Sequence, residues 1–300
     1  MKKALLIMAA ALMALCVSCK KDDDKSDGGG GGGNTGGGGS QTVEMRISKD
    51  SGNSVGYDEG STDGGQTWNV IEESNYSFNT IYTWNDNLLS NVKSYSDLSD
   101  HSGYNNYDFR YDNNKLSNII VTQSSDGRID TISSCDVEYD GDNMSKVTVH
   151  HDKEDDRVYH LEYSNGKLSS VTFDRGVINY FWNGDNISEV IASGDYFIGD
   201  TVGYKHISYD DKKNPYYGID AFLAISVMSG GVDGSSSLSK NNCTKHETYS
   251  GGGSIIETGE CEYTYNGENY PTQAISSTII QISDGHRQRG VTTVTYEYLD

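Results

Sequence analysis

His150 and His160 lie symmetrically about Asp155, so a hairpin turning there would set two imidazoles face to face across adjacent strands. Such a pair is the beginning of a divalent metal site, with His151 and Asp152 close by. It would need a third ligand, and residues 152–157 read equally as a solvated, charged turn. Cys243 and Cys261 are likewise equidistant from Gly252, the centre of Ser250-Gly251-Gly252-Gly253-Ser254. In simple register their sulfurs would meet, and a disulfide suits an oxidising compartment, although cross-strand geometry is demanding. Cys135 would then be a buried structural thiol. Trp68 stands in a Gly/Ser/Thr-rich segment beside Gln66. It offers a flat face to a sugar ring if exposed, or core packing for an early strand if not. Asp140-Gly141-Asp142-Asn143 begins like a calcium loop but lacks the later bidentate Glu. There is no nucleophile elbow, phosphate loop or HExxH. No catalytic residue and no cofactor is expected.

Cys19 has a different chemistry. Lys2 and Lys3 precede an apolar run from Ala4 to Leu15, and Val17 and Ser18 lead into Cys19. The run is shorter than the ~20 residues that span a bilayer, so residues 1–18 read as a cleaved signal. A buried N-terminal helix is a poor alternative, because Lys20, Lys21, Asp22, Asp23 and Asp24 follow at once. Cys16-Val17-Ser18-Cys19 resembles the lipobox of bacterial lipoproteins, with Cys16 where Leu is usual. The Lys20–Asp24 run resembles the acidic signal that sends Bacteroidetes lipoproteins to the outer face of the outer membrane. The resemblance implies lipidation at Cys19 and display on the cell surface. The glycine runs 28–33 and 36–39 make residues 19–40 a flexible tether, reaching roughly 20–25 Å. The lipid is the expected membrane contact.

The elements that would position these residues are strands. Twenty-two tyrosines favour sheet, and abundant Gly, Asn, Asp and Ser with only two prolines suit many tight turns. Residues 41–300 are enough for one sizeable all-β domain. A net charge of −21 would repel nucleic acid and anionic headgroups, so no nucleic-acid partner is expected.

Seven segments share an aromatic, a polar turn, an apolar residue, and then Ser or Pro. Examples are Tyr111-Asp112-Asn113-Asn114-Lys115-Leu116-Ser117 and Trp182-Asn183-Gly184-Asp185-Asn186-Ile187-Ser188. The others begin at Trp84, Tyr139, Tyr163, Tyr209 and Tyr265, and both prolines, Pro215 and Pro271, take the Ser position. Two residues before each aromatic stand Tyr82, Phe109, Val137, Leu161, Tyr180, Ile207 and Tyr263, the alternation of a strand with one buried face. Each copy therefore reads as a hairpin. The apolar residue before the Ser is out of phase with the outgoing strand and is expected to fold over the strand end as a plug. Successive hairpins give an antiparallel meander, and closure into a barrel would remove its edges. Arg110, Glu138, His160 and Glu162 lie on the faces opposite the apolar ones, so the barrel is expected in water. Residues 216–228, with Ala221-Phe222-Leu223-Ala224-Ile225 at their centre, break the pattern, as a helix plugging one barrel end or as a buried strand.

The unit Tyr-Asp-x-x-x-Leu-x-x-Ile/Val resembles the YD repeat of RHS-type shell proteins, one residue shorter at the turn. Residues 75–300 also resemble a family of Bacteroidetes surface lipoproteins with a porin-like β-barrel fold. That likeness rests on the repeats, on Tyr209-Asp210-Asp211-Lys212-Lys213-Asn214-Pro215-Tyr216, on Lys240-Asn241-Asn242 and on Tyr296-Glu297-Tyr298. It implies a fold and an address, and no catalytic residues. Three roles are compatible with this reading: a non-enzymatic binder of an extracellular glycan or protein, a structural envelope component, and, with a carboxylate- or histidine-lined pocket, a hydrolase.

Overall fold

The computed structural model describes residues 45–63, 65–98, 101–125, 128–151, 154–174, 176–194, 202–228, 235–283 and 285–299. Cys19, the leader 1–18 and the tether 19–40 lie outside the described residues. Among the described residues sixteen strands, from β1 (Ile47–Gly60) to β16 (His286–Tyr298), form one closed antiparallel barrel. Every strand pairs with its neighbour in sequence, and β1 closes on β16 with Gly60 opposite His286. The fold is the all-β meander that the repeats predict.

The hairpins show why the repeat has its residues. β4 (His101–Asp112) and β5 (Lys115–Ser125) are joined by Asn113 and Asn114, with φ of 49° and 65°. Both are left-handed, as a two-residue turn matched to the sheet twist requires. The first loop residue is left-handed in the other regular copies too, at Asp86, Gly141, Asn165 and Gly184. Each ladder then slips by one residue beside the aromatic, as between Arg110 and Tyr111. Ser117 is the extra residue of that bulge, and its hydroxyl donates to the Arg110 carbonyl at 3.1 Å. Ser90, Ser145, Ser169 and Ser188 make the same bond to Thr83, Glu138, Glu162 and Phe181. The conserved chemistry of the Ser position is thus a side-chain cap on a bulge.

The bulge corrects the expectation of a plug folded over the strand end. By absorbing one residue it returns Leu89, Leu116, Met144, Leu168 and Ile187 to the inner face, where all are buried. The aromatics tie successive hairpins together: Tyr111 donates to the Leu89 carbonyl and Trp182 to the Leu168 carbonyl, each at 2.8 Å. Pro271 opens β15 (Pro271–Ser283), a position where a missing N–H is tolerated.

Inward-facing Tyr82, Phe109, Val121, Val149, Leu161, Val171 and Tyr180 build the core. Into it runs α1 (Asp220–Met228), the helical one of the two alternatives open in the sequence. Phe222 packs edge-on against Tyr82 of β2 (Asn69–Asn85), while Asp220 accepts from the Tyr139 hydroxyl of β6 (Arg128–Asp140) at 3.0 Å. Strands four places apart meet one helix only across the interior, and Ala221 through Val227 are all buried. Enclosure on every side explains why this helix lacks a polar face. The outer wall carries charge among apolar side chains: Arg110, Glu138, His160 and Glu162 are exposed, as are Ile81, Ile129, Phe181 and Ile275, and Lys146 pairs with Glu138 at 2.7 Å. Bulk charge at these positions does not suit a lipid-facing belt.

Candidate ligand-binding surface

The histidine pair does not assemble. In the β7 (Asn143–His151) and β8 (Glu154–Ser164) hairpin, Lys146 stands opposite His160 and His151 opposite Glu154. The turn therefore falls before Asp155, and His150 and His160 lie about four residues apart along the sheet, roughly 13 Å. His150 instead bridges Asp156 and Asp136, at 3.0 and 3.1 Å, and these two carboxylates raise its pKa. No cluster of three or more potential metal ligands occurs among the described residues.

The two cysteines stand on adjacent strands, offset by one residue from direct opposition. β13 (Asn241–Ser250) and β14 (Ile255–Tyr265) place Lys245 opposite Glu260, with a one-residue shift between Thr248 and Tyr249. The bulge moves Cys261 one position past the register that would oppose it to Cys243. Cys261 is fully buried and Cys243 nearly so. Cys135 is a fully buried thiol, its pKa pushed up to about 12 by burial.

Trp68 stands just before β2, at the end of a loop held by one carboxylate. Asp63 accepts from the Ser61 hydroxyl at 2.7 Å and from the Gln66 and Thr67 N–H groups at 3.0 and 2.9 Å. Those bonds, from Thr67 and Ser61 foremost, hold the Asp63 carboxyl well below its usual range. The indole is half-buried, and the Arg287 guanidinium lies 4.2 Å from its ring centre. Arg289 lies 4.0 Å from the ring centre of Tyr57. Between them Glu59, 4% exposed, accepts from Arg287 Nε at 2.6 Å and from Arg289 Nε at 3.1 Å. Burial alone would raise the Glu59 carboxyl, but the two arginines more than offset it and lower its pKa. Beside the cluster His286 is bonded to Asp58, and Val70 and Ile71 of β2 are exposed.

Pairing explains how these groups share one wall. Glu59 is opposite Arg287 and Tyr57 opposite Arg289, with an unbroken register from Lys49 to Gly60. From Lys49 on, odd-numbered residues of β1 and their partners on β16 thus point outward together, while Ser54 and Thr292 point inward, hydrogen-bonded and buried. Further along the same wall, past Val55 opposite Val291, Ser51, Asn53, Ser77, Thr293 and Thr295 line an open furrow. Gly52 and Phe78 complete it, and its volume is about 320 Å³. A Cβ at Gly52 would fall 2.0 Å from the Thr293 carbonyl oxygen, so only glycine allows this close approach.

The sequence singled out Trp68 of this cluster and passed over Tyr57, Glu59, Arg287 and Arg289. Their period-two spacing, Tyr57-x-Glu59 and Arg287-x-Arg289, was the available signal of shared faces. That the two faces meet follows only from closure of the first strand on the last.

A porin-like protein from Bacteroides uniformis superposes with a TM-score of 0.54 at 15% identity, over 87% of this chain and 100% of that one. The barrel is porin-like in architecture. A second porin-like protein, from Bacteroides vulgatus, matches with a TM-score of 0.33 at 10% identity, over 85% of this chain and 99% of that one. No family model and no curated protein matches the chain.

Proposed function

We propose that this chain is a non-enzymatic lipoprotein of the outer membrane, anchored through acylated Cys19 and displayed at the cell surface. Its barrel would serve as a rigid support for recognition of an extracellular ligand on the outer wall of β16, β1 and β2. The observation that carries this reading is the fixed cluster of Trp68, Tyr57, Arg287 and Arg289 beside a polar furrow. Sites on strands hold their groups more rigidly than sites on loops. An interior occupied by α1 argues for a support over a conduit.

Address and binding are tested separately. Cells fed a clickable palmitate should label the wild-type chain and not a Cys19→Ala variant, and protease added to intact cells should remove the barrel. The purified full chain should bind members of a glycan and mucin panel, with binding reduced at least fivefold by Trp68→Ala. Absence of label or protection from protease would refute the address; a silent panel would refute glycan recognition.

A further inference from the structure

The two arginines of the β16 wall carry a more specific reading, which rests on that wall being a binding surface. Each guanidinium is pinned by its Nε on the single carboxylate of Glu59 and stacked on an aromatic ring. Among the described residues neither has another hydrogen-bond or ion-pair partner. Their side chains remain 22% and 32% exposed, so the outer N–H groups face solvent already oriented. Two guanidinium groups share one buried anion, with the exposed Glu73 carboxylate opposite Tyr57 at the edge of the site, in a chain of net −21. Guanidinium forks match the geometry of a planar oxyanion and bind it through paired hydrogen bonds.

We propose that Arg287 and Arg289 receive one carboxylate carried on a sugar, with neutral neighbouring sugars lying along the furrow toward Asn53 and Thr295. Three observations select this ligand class. The rings of Trp68 and Tyr57 flank the cations and supply the flat apolar surface that a sugar face needs. The furrow on the same wall is lined by hydroxyls and one amide, groups that exchange hydrogen bonds with sugar hydroxyls. Its volume is at the small end of the ~300–1,000 Å³ typical of ligand sites. Exposed Glu73, opposite Tyr57 and bonded to Asn75 at 3.1 Å, bounds the site on the β2 side. That carboxylate and the net charge oppose a polyanion, so the match is to a single acidic sugar within an otherwise neutral chain.

The test compares a glucuronate-terminated oligosaccharide with its methyl ester and with an acidic peptide of matched charge, by calorimetry on the full wild-type chain. The free acid should bind at least tenfold more tightly than the ester, and the preference should shrink as salt rises. Arg289→Gln, checked by circular dichroism, should reduce the preference of acid over ester to less than threefold. Equal binding of acid and ester would overturn the anion site and leave the binding wall standing. Tighter binding of the peptide would overturn the sugar assignment. Failure of both saccharides would remove the glycan reading together with this inference. If Arg289→Gln does not fold, the wild-type comparison of acid with ester decides alone.

Discussion

The carboxylate of Asp50 on β1 accepts a hydrogen bond from the hydroxyl of Tyr216, the residue that leads the chain into α1, at 3.2 Å. Tyr82 donates to the same Oδ2 at 2.5 Å, so wall and inserted helix share one buried acid. Burial raises the Asp50 pKa, and the hydroxyl bonds offset this only in part. Because the folded value exceeds the unfolded one, the folded state holds the proton longer. Stability is then full at pH below the unfolded value of about 3.8 and falls as pH rises toward the raised folded value. Asp50→Asn should abolish that fall, so that its melting temperature exceeds that of the wild type at pH 7 and converges with it near pH 4. Thermal unfolding across this range checks it; parallel curves would contradict the burial argument.

Glu59 behaves with the opposite sign. Its pKa is lowered on folding, so the stability contributed by its arginine pairs is present above the unfolded value near 4.5 and lost as pH falls through the folded one. Glu59→Gln should remove this acid-side loss. Denaturant titrations at pH 3 and pH 6 measure it, and an unchanged slope with pH would be the contrary result.

The serine caps predict small, additive losses. Ser117→Ala leaves the Arg110 carbonyl at the bulge without its donor and should cost about 0.5–1.5 kcal/mol. Ser90 and Ser188 sit in distant hairpins, so a double substitution should cost the sum of the single ones within about 0.5 kcal/mol. Urea midpoints are the readout.

Tyr139→Phe removes the hydroxyl bonded to Asp220 inside the barrel. Leaving that buried carboxyl without its donor should cost about 1–3 kcal/mol, read as a lower urea midpoint.

Zinc provides a direct check on the β7–β8 register. With His150 and His160 roughly 13 Å apart and His150 engaged by Asp156 and Asp136, equimolar zinc should leave the melting temperature unchanged. A rise that vanishes in His160→Ala would show that the hairpin pairs otherwise.

What was legible in the sequence is what depends on local chemistry. The left-handed turn residues Asn113 and Asn114, the Ser position and the alternation around Phe109 each depend on neighbours within one hairpin. Register was less legible, because one bulged residue shifts all that follows. The shift at Thr248 displaces Cys261, and an early turn displaces His160. The Ser117 bulge did the same to Leu116, which returns to the core. Least legible was the cluster of Tyr57, Glu59, Arg287 and Arg289. No local pattern says that a strand at one end of the chain will lie beside a strand at the other.

That separation also sets the order of events during folding. Glu59 and Arg287 are 228 residues apart, and their contact forms only when β16 completes the ring. Contacts of such long range form late, after the local hairpins. A chain truncated before His286 could build every repeated hairpin and still display no arginine on this wall. Under the proposed function, recognition would thereby be conditional on closure, and ligand binding would report the integrity of the barrel that carries the face.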